Sequence, residues 1–436
     1  MIEEKILSIA KEKCDEADIS MRKSYQSKVS YKSNEINGIT SNESSWLALR
    51  VIKDGKLGIS YSYDLNTDPE KLVDRAIFNS RYGPVCHFSL PDKVTVSQEA
   101  KVFDLKTLNF QTKDAKALIE TEMKKLLSKE KDLLVGGVFN NANSEARFLN
   151  TNGTDYSYKN TSFFYYILGS RNREGDFLSI AEGIPGRKID KKITTPCKET
   201  LKLFNWSRDL RKVKTGKFDV YLGNEVFAQM IQVVLTALNG KNVLMGSSFL
   251  KDSLGKKIFD SRIQIMEDPF IDWGVNSLSL DDEGMKTTPK DLIKAGVAKK
   301  FIYDLQTAVK AKTKPTGNGF RGISGQASPR FTNIVVSEGK KSEGNIIKSI
   351  KNGLYVKGVM GGHVADPYSG NMSLQVELGF RIEDGRVTGR VKNTMIFLNV
   401  FDVLRSNLVE MSMERRWEEN YYLPGIHLKD ISIASK

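Results

Sequence analysis

The clearest hydrophobic period in the chain runs through GNEVFAQMIQVVLTALNGKNVLMG, residues 223–246. Phe227, Met230, Ile231, Val234 and Leu238 recur at three- and four-residue spacing, which predicts a helix with one apolar face. Asn224 is placed to cap its start, Glu225 suits the positive end of the helix dipole, and Asn239-Gly240 closes it. On these residues alone it is a core helix.

The N-terminal third has a different rhythm. Ile2, Ile6, Ile9 and Ala10 share one side of a short helix, and Ile19 to Tyr63 is patterned as strands. Within it, WLALRVIKDGKLGISYS sets Asp54-Gly55 between two β-rich arms and predicts a hairpin. Asp68-Pro69 opens a helix whose Leu72, Val73, Ala76 and Ile77 face inward. The stretch GPVCHFSLPDKVTVSQEA has no period and is expected to be a linker. Ala115, Leu118, Ile119, Met123, Leu126 and Leu127 mark the next helix, followed by strands through Leu133–Asn140, Ala146–Thr151 and Ser157–Gly169. Asn150-Thr151-Asn152-Gly153 predicts a turn. Lys188–Glu199 is expected as an exposed return before a helix-like piece at Leu201–Val213.

After Gly216 the strands dominate, interrupted by the central helix, by a helix capped by Ser342 and by one at Val400 to Leu408. The expected class is α+β: N-terminal α+β layers with mixed or antiparallel sheets, then a larger strand-rich C-terminal domain built around one central helix. The expected divisions are 1–84, 85–213 and 214–436, in keeping with a chain of 436 residues.

Composition narrows the classes. Hydrophobic residues at 40% and charged residues at 27% are ordinary for a globular protein. The net charge of +13 would favour polyanions, but it is spread thinly and does not interleave with aromatics, so nucleic-acid binding is not expected. Cys14, Cys86 and Cys197 lie far apart without C-x-x-C spacing, which predicts free thiols. The N-terminus is charged throughout, and no run approaches the ~18 apolar residues of a membrane span. A cytoplasmic protein without membrane contact is expected.

Candidate chemistry is sparse, because the chain has 3 histidines. Asp281-Asp282-Glu283-Gly284 lacks the alternate oxygen spacing of a calcium loop and is expected to be a solvated turn. Gly317, Asn318 and Gly319, in PTGNGF, lack the strand, helix and Lys-Ser/Thr step of a phosphate cradle, leaving their amides as candidates for contacting a peptide or a partner chain. Gly361 and Gly362 would let another backbone approach, and His363 with Asp366 could serve acid–base or metal chemistry. His427 falls in a terminal strand and is expected to pack.

Several stretches, in order, resemble the TldD/TldE (PmbA) family: KDGKLG with DPEKLVDRA, LNTNGTDYSY, GNEVFAQ, SLDDEG, KPTGNGF, GLYVKGVMGG, DPYSGNMSLQVELGFRIEDGRV and PGIHLKDISI. The resemblance implies a cytoplasmic zinc metallopeptidase system of two homologous chains acting on unfolded peptides. The TldD-like chain carries zinc on an H-E-x-x-x-H helix, with a later cysteine. Aligned with that motif here are Asn224, Glu225 and Gln229, and Val409–Leu423 contains no cysteine. Neutral amides are poor zinc donors. The resemblance therefore implies a TldE-like chain that binds no zinc, whose TldD-like partner supplies it, and which is compatible with a homodimer when alone. Two rivals remain at this point. One is a stand-alone metal-dependent peptidase using His363, Asp366 and Glu225. The other is a nucleic-acid or gyrase-associated regulator, a label family members have carried and which only the net charge suggests.

Overall fold

The computed structural model describes residues 1–173, 176–322, 325–361, 366 and 368–435. Two sheets organise it. The first is antiparallel and six-stranded, in the order β3-β2-β1-β4-β5-β6. Its strands are β1 (Glu16–Lys32), β2 (Glu35–Lys53), β3 (Lys56–Ser62), β4 (Leu134–Asn150), β5 (Asp155–Arg173) and β6 (Asp176–Gly186). β1 lies between β2 and β4, so residues 1–84 and 85–213 each give three strands to one sheet. The β2–β3 connection is the expected two-residue turn, with Asp54 and Gly55 at φ of 50° and 68°. Positive φ at both positions is what a tight hairpin twisted like its strands demands.

Helices Ile2–Lys13 and Pro69–Ser80 cover one part of this sheet, burying Ile6, Ala10, Leu72, Val73 and Ala76. Asp68 caps the second by accepting from the Glu70 and Lys71 amides. Helices Thr112–Lys129 and Thr195–Trp206 share another core with β4 and β5 through Ile119, Leu126, Phe139, Tyr165, Leu203 and Phe204. The second of these starts earlier than the sequence pattern suggests, because Pro196 in its first turn opens it. The aperiodic stretch after Gly83 is irregular but tied down: the Cys86 amide donates to Gly55 O, and Leu90 is buried.

The second sheet has twelve strands, and residues 214–436 supply all of them except Leu210–Arg211. The helix Asn224–Leu238 fills the largest core, with Phe227, Met230, Ile231, Val234 and Leu238 each at 0% exposure. The five positions singled out by their period are thus all inside. Gly223, rather than Asn224, takes the cap position. On the sheet's other face, Tyr221, Tyr355 and Phe380 join the core beneath helix Thr195–Trp206, so the sheet is covered on both sides. Where the pattern predicts a strand from Val297 to Leu305, strand Val297–Ala298 is short and a helix occupies Leu305–Lys310; Leu408 opens the strand Leu408–Glu418 instead of ending a helix.

A buried ion network ties the first sheet to the turn at Asp281–Gly284 and to the short strand Gly319–Arg321. Arg50 donates from Nε to Asp18 at 3.0 Å and from Nη1 to Glu283 at 2.6 Å; Arg321 Nη1 reaches Asp18 at 2.6 Å. The expected solvated turn at Asp281–Gly284 is therefore a correction: Asp281 is 3% and Glu283 1% exposed, because Arg50 and backbone amides compensate their charge. Among the described residues, no helix is long and apolar enough to cross a membrane.

Candidate functional site

The start of the central helix is held by register. Strand Gly216–Leu222 pairs in parallel with Asn352–Met360, matching Leu222 to Val356, and the Gly223 amide donates to Val356 O at 2.9 Å. The next residue of that strand, Lys357, is therefore delivered to the first turn of the helix. Its ammonium bonds Glu225 and lies 3.1 Å from Glu182 of β6. Asn224 donates from Nδ2 to Glu418 Oε1 at 2.7 Å. Gln229 Oε1 is buried and has no hydrogen-bond partner among the described residues. Next to these groups is a cavity of about 180 Å³ lined by Glu182, Glu199, Glu225, Arg416 and Glu418.

Burial sets the protonation here. It pushes the Glu182 carboxyl up to about 7; Lys357 pulls it down and the Glu225 charge pushes it further up. Burial likewise pushes Glu418 up to about 8, with the Glu225 charge adding. For Lys357 burial disfavours the ammonium, but Glu225 and Glu182 outweigh it and raise its pKa. Burial pushes Glu199 upward, yet Arg416 and Lys202 win and hold it below the usual range. Two carboxyls thus exchange protons near neutral pH beside a permanently charged lysine, which suits proton transfer or the gripping of polar ligand groups.

Zinc needs thiolate, neutral imidazole or carboxylate donors around an accessible position. Here the Asn224 amide is committed to Glu418, and the one motif carboxylate, Glu225, already holds an ammonium. A divalent cation on that carboxylate would meet a buried positive charge at contact distance. The residues present do not fit zinc.

The other sequence candidates scatter. Gly317, Asn318 and Gly319 are buried; Asn318 donates to Glu267 Oε1 and to Arg330 O, both at 2.8 Å, and the Gly319 amide donates to Asp281. As peptide-contacting groups they need correction: all three belong to the interior packing. Gly361 has φ of 94° and is half-buried. Gly362 and His363 lie outside the described residues. Asp366 is exposed; bonds from the Ser369 hydroxyl and the Tyr368 amide hold its carboxyl below the usual range. His427 is 3% exposed, and burial lowers its pKa.

Sequence reasoning found Glu225 but missed Glu182, Lys357 and Glu418. One signal was available. In GLYVKGVM a lone lysine interrupts an apolar strand, and residues 353–357 are all buried. A lysine in that setting needs a carboxylate partner.

Comparison with known proteins bears on the same segments. The PmbA/TldA metallopeptidase C-terminal domain matches residues 215–435, and domain 1 of the same group matches residues 17–80. The chain belongs to the PmbA/TldD family. A relative called metalloprotease PmbA, from Escherichia coli O157:H7, is 25% identical and the match spans 99% of this chain and 94% of the relative. A metalloprotease TldD homolog from Buchnera aphidicola subsp. Acyrthosiphon pisum is 30% identical over 210 residues, 48% of this chain and 43% of its own. The crystal structure of TldE from Thermococcus kodakarensis superposes with a TM-score of 0.91 at 24% identity, over 100% of both chains, and establishes the α+β fold. The PmbA/TldD relatives thus include chains named for each half of the pair.

Proposed function

We propose that this chain is the TldE-like, zinc-free subunit of a two-chain metallopeptidase that processes unfolded peptides in the cytoplasm. Its partner would be a TldD-like chain that carries the metal. The observation that carries this reading is Lys357: its ammonium is bonded to the Glu225 carboxylate, the one motif group that could otherwise reach a metal. The amides of Asn224 and Gln229 offer no replacement. The cluster keeps its carboxylates and balances them with a side chain of its own.

The test is metal content and peptide cleavage of the purified chain, alone and with a TldD-like chain from the same source. The expected result is no stoichiometric zinc and no turnover alone, with cleavage in the mixture. Stoichiometric zinc and turnover by this chain alone would overturn the reading.

A further inference from the structure

A second cavity, of about 520 Å³, lies between the first sheet and the segment around Val275–Leu278. Arg22 on β1, Tyr158 on β5 and Arg187 just beyond β6 form one side, and Arg330 approaches from the other. Arg187 is 8% exposed. Its Nε and Nη2 donate to the Gly274 and Val275 carbonyls, at 2.7 Å in each case, whereas its Nη1 is buried and has no partner.

None of Arg22, Arg187 and Arg330 has a carboxylate within ion-pair distance among the described residues. Asp282 also lines the cavity, and its Oδ2 accepts from the Arg321 amide. Burial disfavours the Arg22 cation, but Tyr158 and the Asp282 charge outweigh it and raise its pKa, which leaves Arg187 as the buried cation without a balancing carboxylate. Arg321 itself is neutralised by Asp18. Burial, with the Arg22 charge adding, depresses Arg187 to about 10, so it stays a cation at neutral pH. A buried guanidinium without an anion is costly, and the shortfall is met when an anion arrives from outside. The space is far larger than an inorganic ion requires and matches that of sites for small organic molecules. Trp46, Phe320 and Phe331 supply apolar walls. A planar carboxylate attached to an apolar body suits this combination, since guanidinium and carboxylate pair through two parallel bonds.

We propose that this cavity binds the C-terminal carboxylate of a short peptide, with Arg187, Arg22 and Arg330 receiving its oxygens and the aromatic walls holding the last side chain. The anion site stands on its own residues; the choice of a peptide as the carrier rests on the reading under Proposed function.

The test uses the full chain and a fluorescent pentapeptide ending in phenylalanine, as the free acid and as the C-terminal amide. The acid should bind saturably, and the amide roughly ten- to a hundredfold more weakly, the loss expected for a charge-assisted bond. Exposed Arg330→Gln should weaken the acid several-fold and leave the amide and the unfolding midpoint unchanged. Arg22→Gln serves as the second variant, because Arg187 holds the Gly274 and Val275 carbonyls and replacing it would loosen that segment as well. Equal affinity for acid and amide, or no change in either variant, overturns the proposal. So does an amidated peptide with one internal glutamate that binds as tightly as the acid, which moves the carboxylate to a side chain. Inorganic phosphate binding as tightly as the peptide overturns it too. Cleavage in the presence of a TldD-like chain is scored separately. Carboxylate binding without such cleavage removes the subunit reading alone.

Discussion

Replacing Lys357 with methionine isolates the charge balance at the central helix. The methionine keeps an unbranched chain in a position only 5% exposed, so the main loss is the ammonium. Removing one member of a buried pair costs about 3–5 kcal/mol, because the remaining charge is left uncompensated. Glu225, at 28% exposure, is partly solvated, which brings the figure down to ~2–3 kcal/mol at pH 8. The cost depends on pH. Glu182 already titrates at about 7 with the lysine present, and losing the lysine raises it further. A carboxyl raised above its unfolded value of 4.5 adds stability below that pH and loses it as pH climbs toward the folded pKa. At pH 5 Glu182 is protonated in the folded protein and only Glu225 misses the ammonium, so the deficit should shrink by roughly half, to ~1–2 kcal/mol. Urea unfolding of wild type and Lys357→Met at pH 5 and pH 8 reads the difference directly. A Glu182→Gln, Lys357→Met double variant should recover part of the loss at pH 8. Equal destabilisation at both pH values, or none at pH 8, refutes the reasoning.

Three further outcomes follow from the same contacts. Asn224→His with Gln229→His should fail to take up stoichiometric zinc while Lys357 remains, and adding Lys357→Met should raise zinc affinity at least about tenfold by removing a contact-range repulsion; titration with zinc checks both steps, and tight zinc with the lysine in place contradicts them. Glu418→Gln should leave stability unchanged at pH 5 and raise it by ~1 kcal/mol at pH 9, because a carboxyl pushed up to about 8 is a liability once ionised; thermal melts at the two pH values decide, and a loss at pH 9 counts against it. Asp18→Ala strands Arg321, at 6% exposure, and leaves Arg50 with Glu283 alone, and should cost about 3–5 kcal/mol in urea unfolding; a change under ~1 kcal/mol would mean that the network relaxes without it.

What the sequence revealed divides along the range of the interactions. The Asp54-Gly55 turn, the Asp68 cap and the face of the central helix depend on neighbours within a few residues, and all were visible. The pairing of β1 with β4 was not, since two strands, three helices and the irregular stretch separate them and alternation carries no address. The same holds for Glu283, whose bond to Arg50 spans 233 positions. Local composition offered only an acidic, glycine-ended loop, which normally means a solvated turn. At the candidate site, Glu225 was legible because a motif surrounds it. The other groups of the cluster come from β6, from Asn352–Met360 and from the end of Leu408–Glu418, and only the sheet register brings them together.

A side-chain cation at this helix start differs from a metal ion in more than charge balance. Glu182, Glu225 and Glu418 gather at one helix start, and Lys357 offsets part of their negative charge. Zinc would provide this too, but it would also leave a coordination position at which water becomes acidic near neutral pH. An ammonium offers three donors and no such position, so water beside it stays a poor nucleophile. The cluster can therefore keep its shape, and hold polar groups of a chain laid across it, while the hydrolytic step depends on a site elsewhere. Under the proposed pairing with a metal-bearing homologue, that is a coherent way to offer a binding surface without a metal.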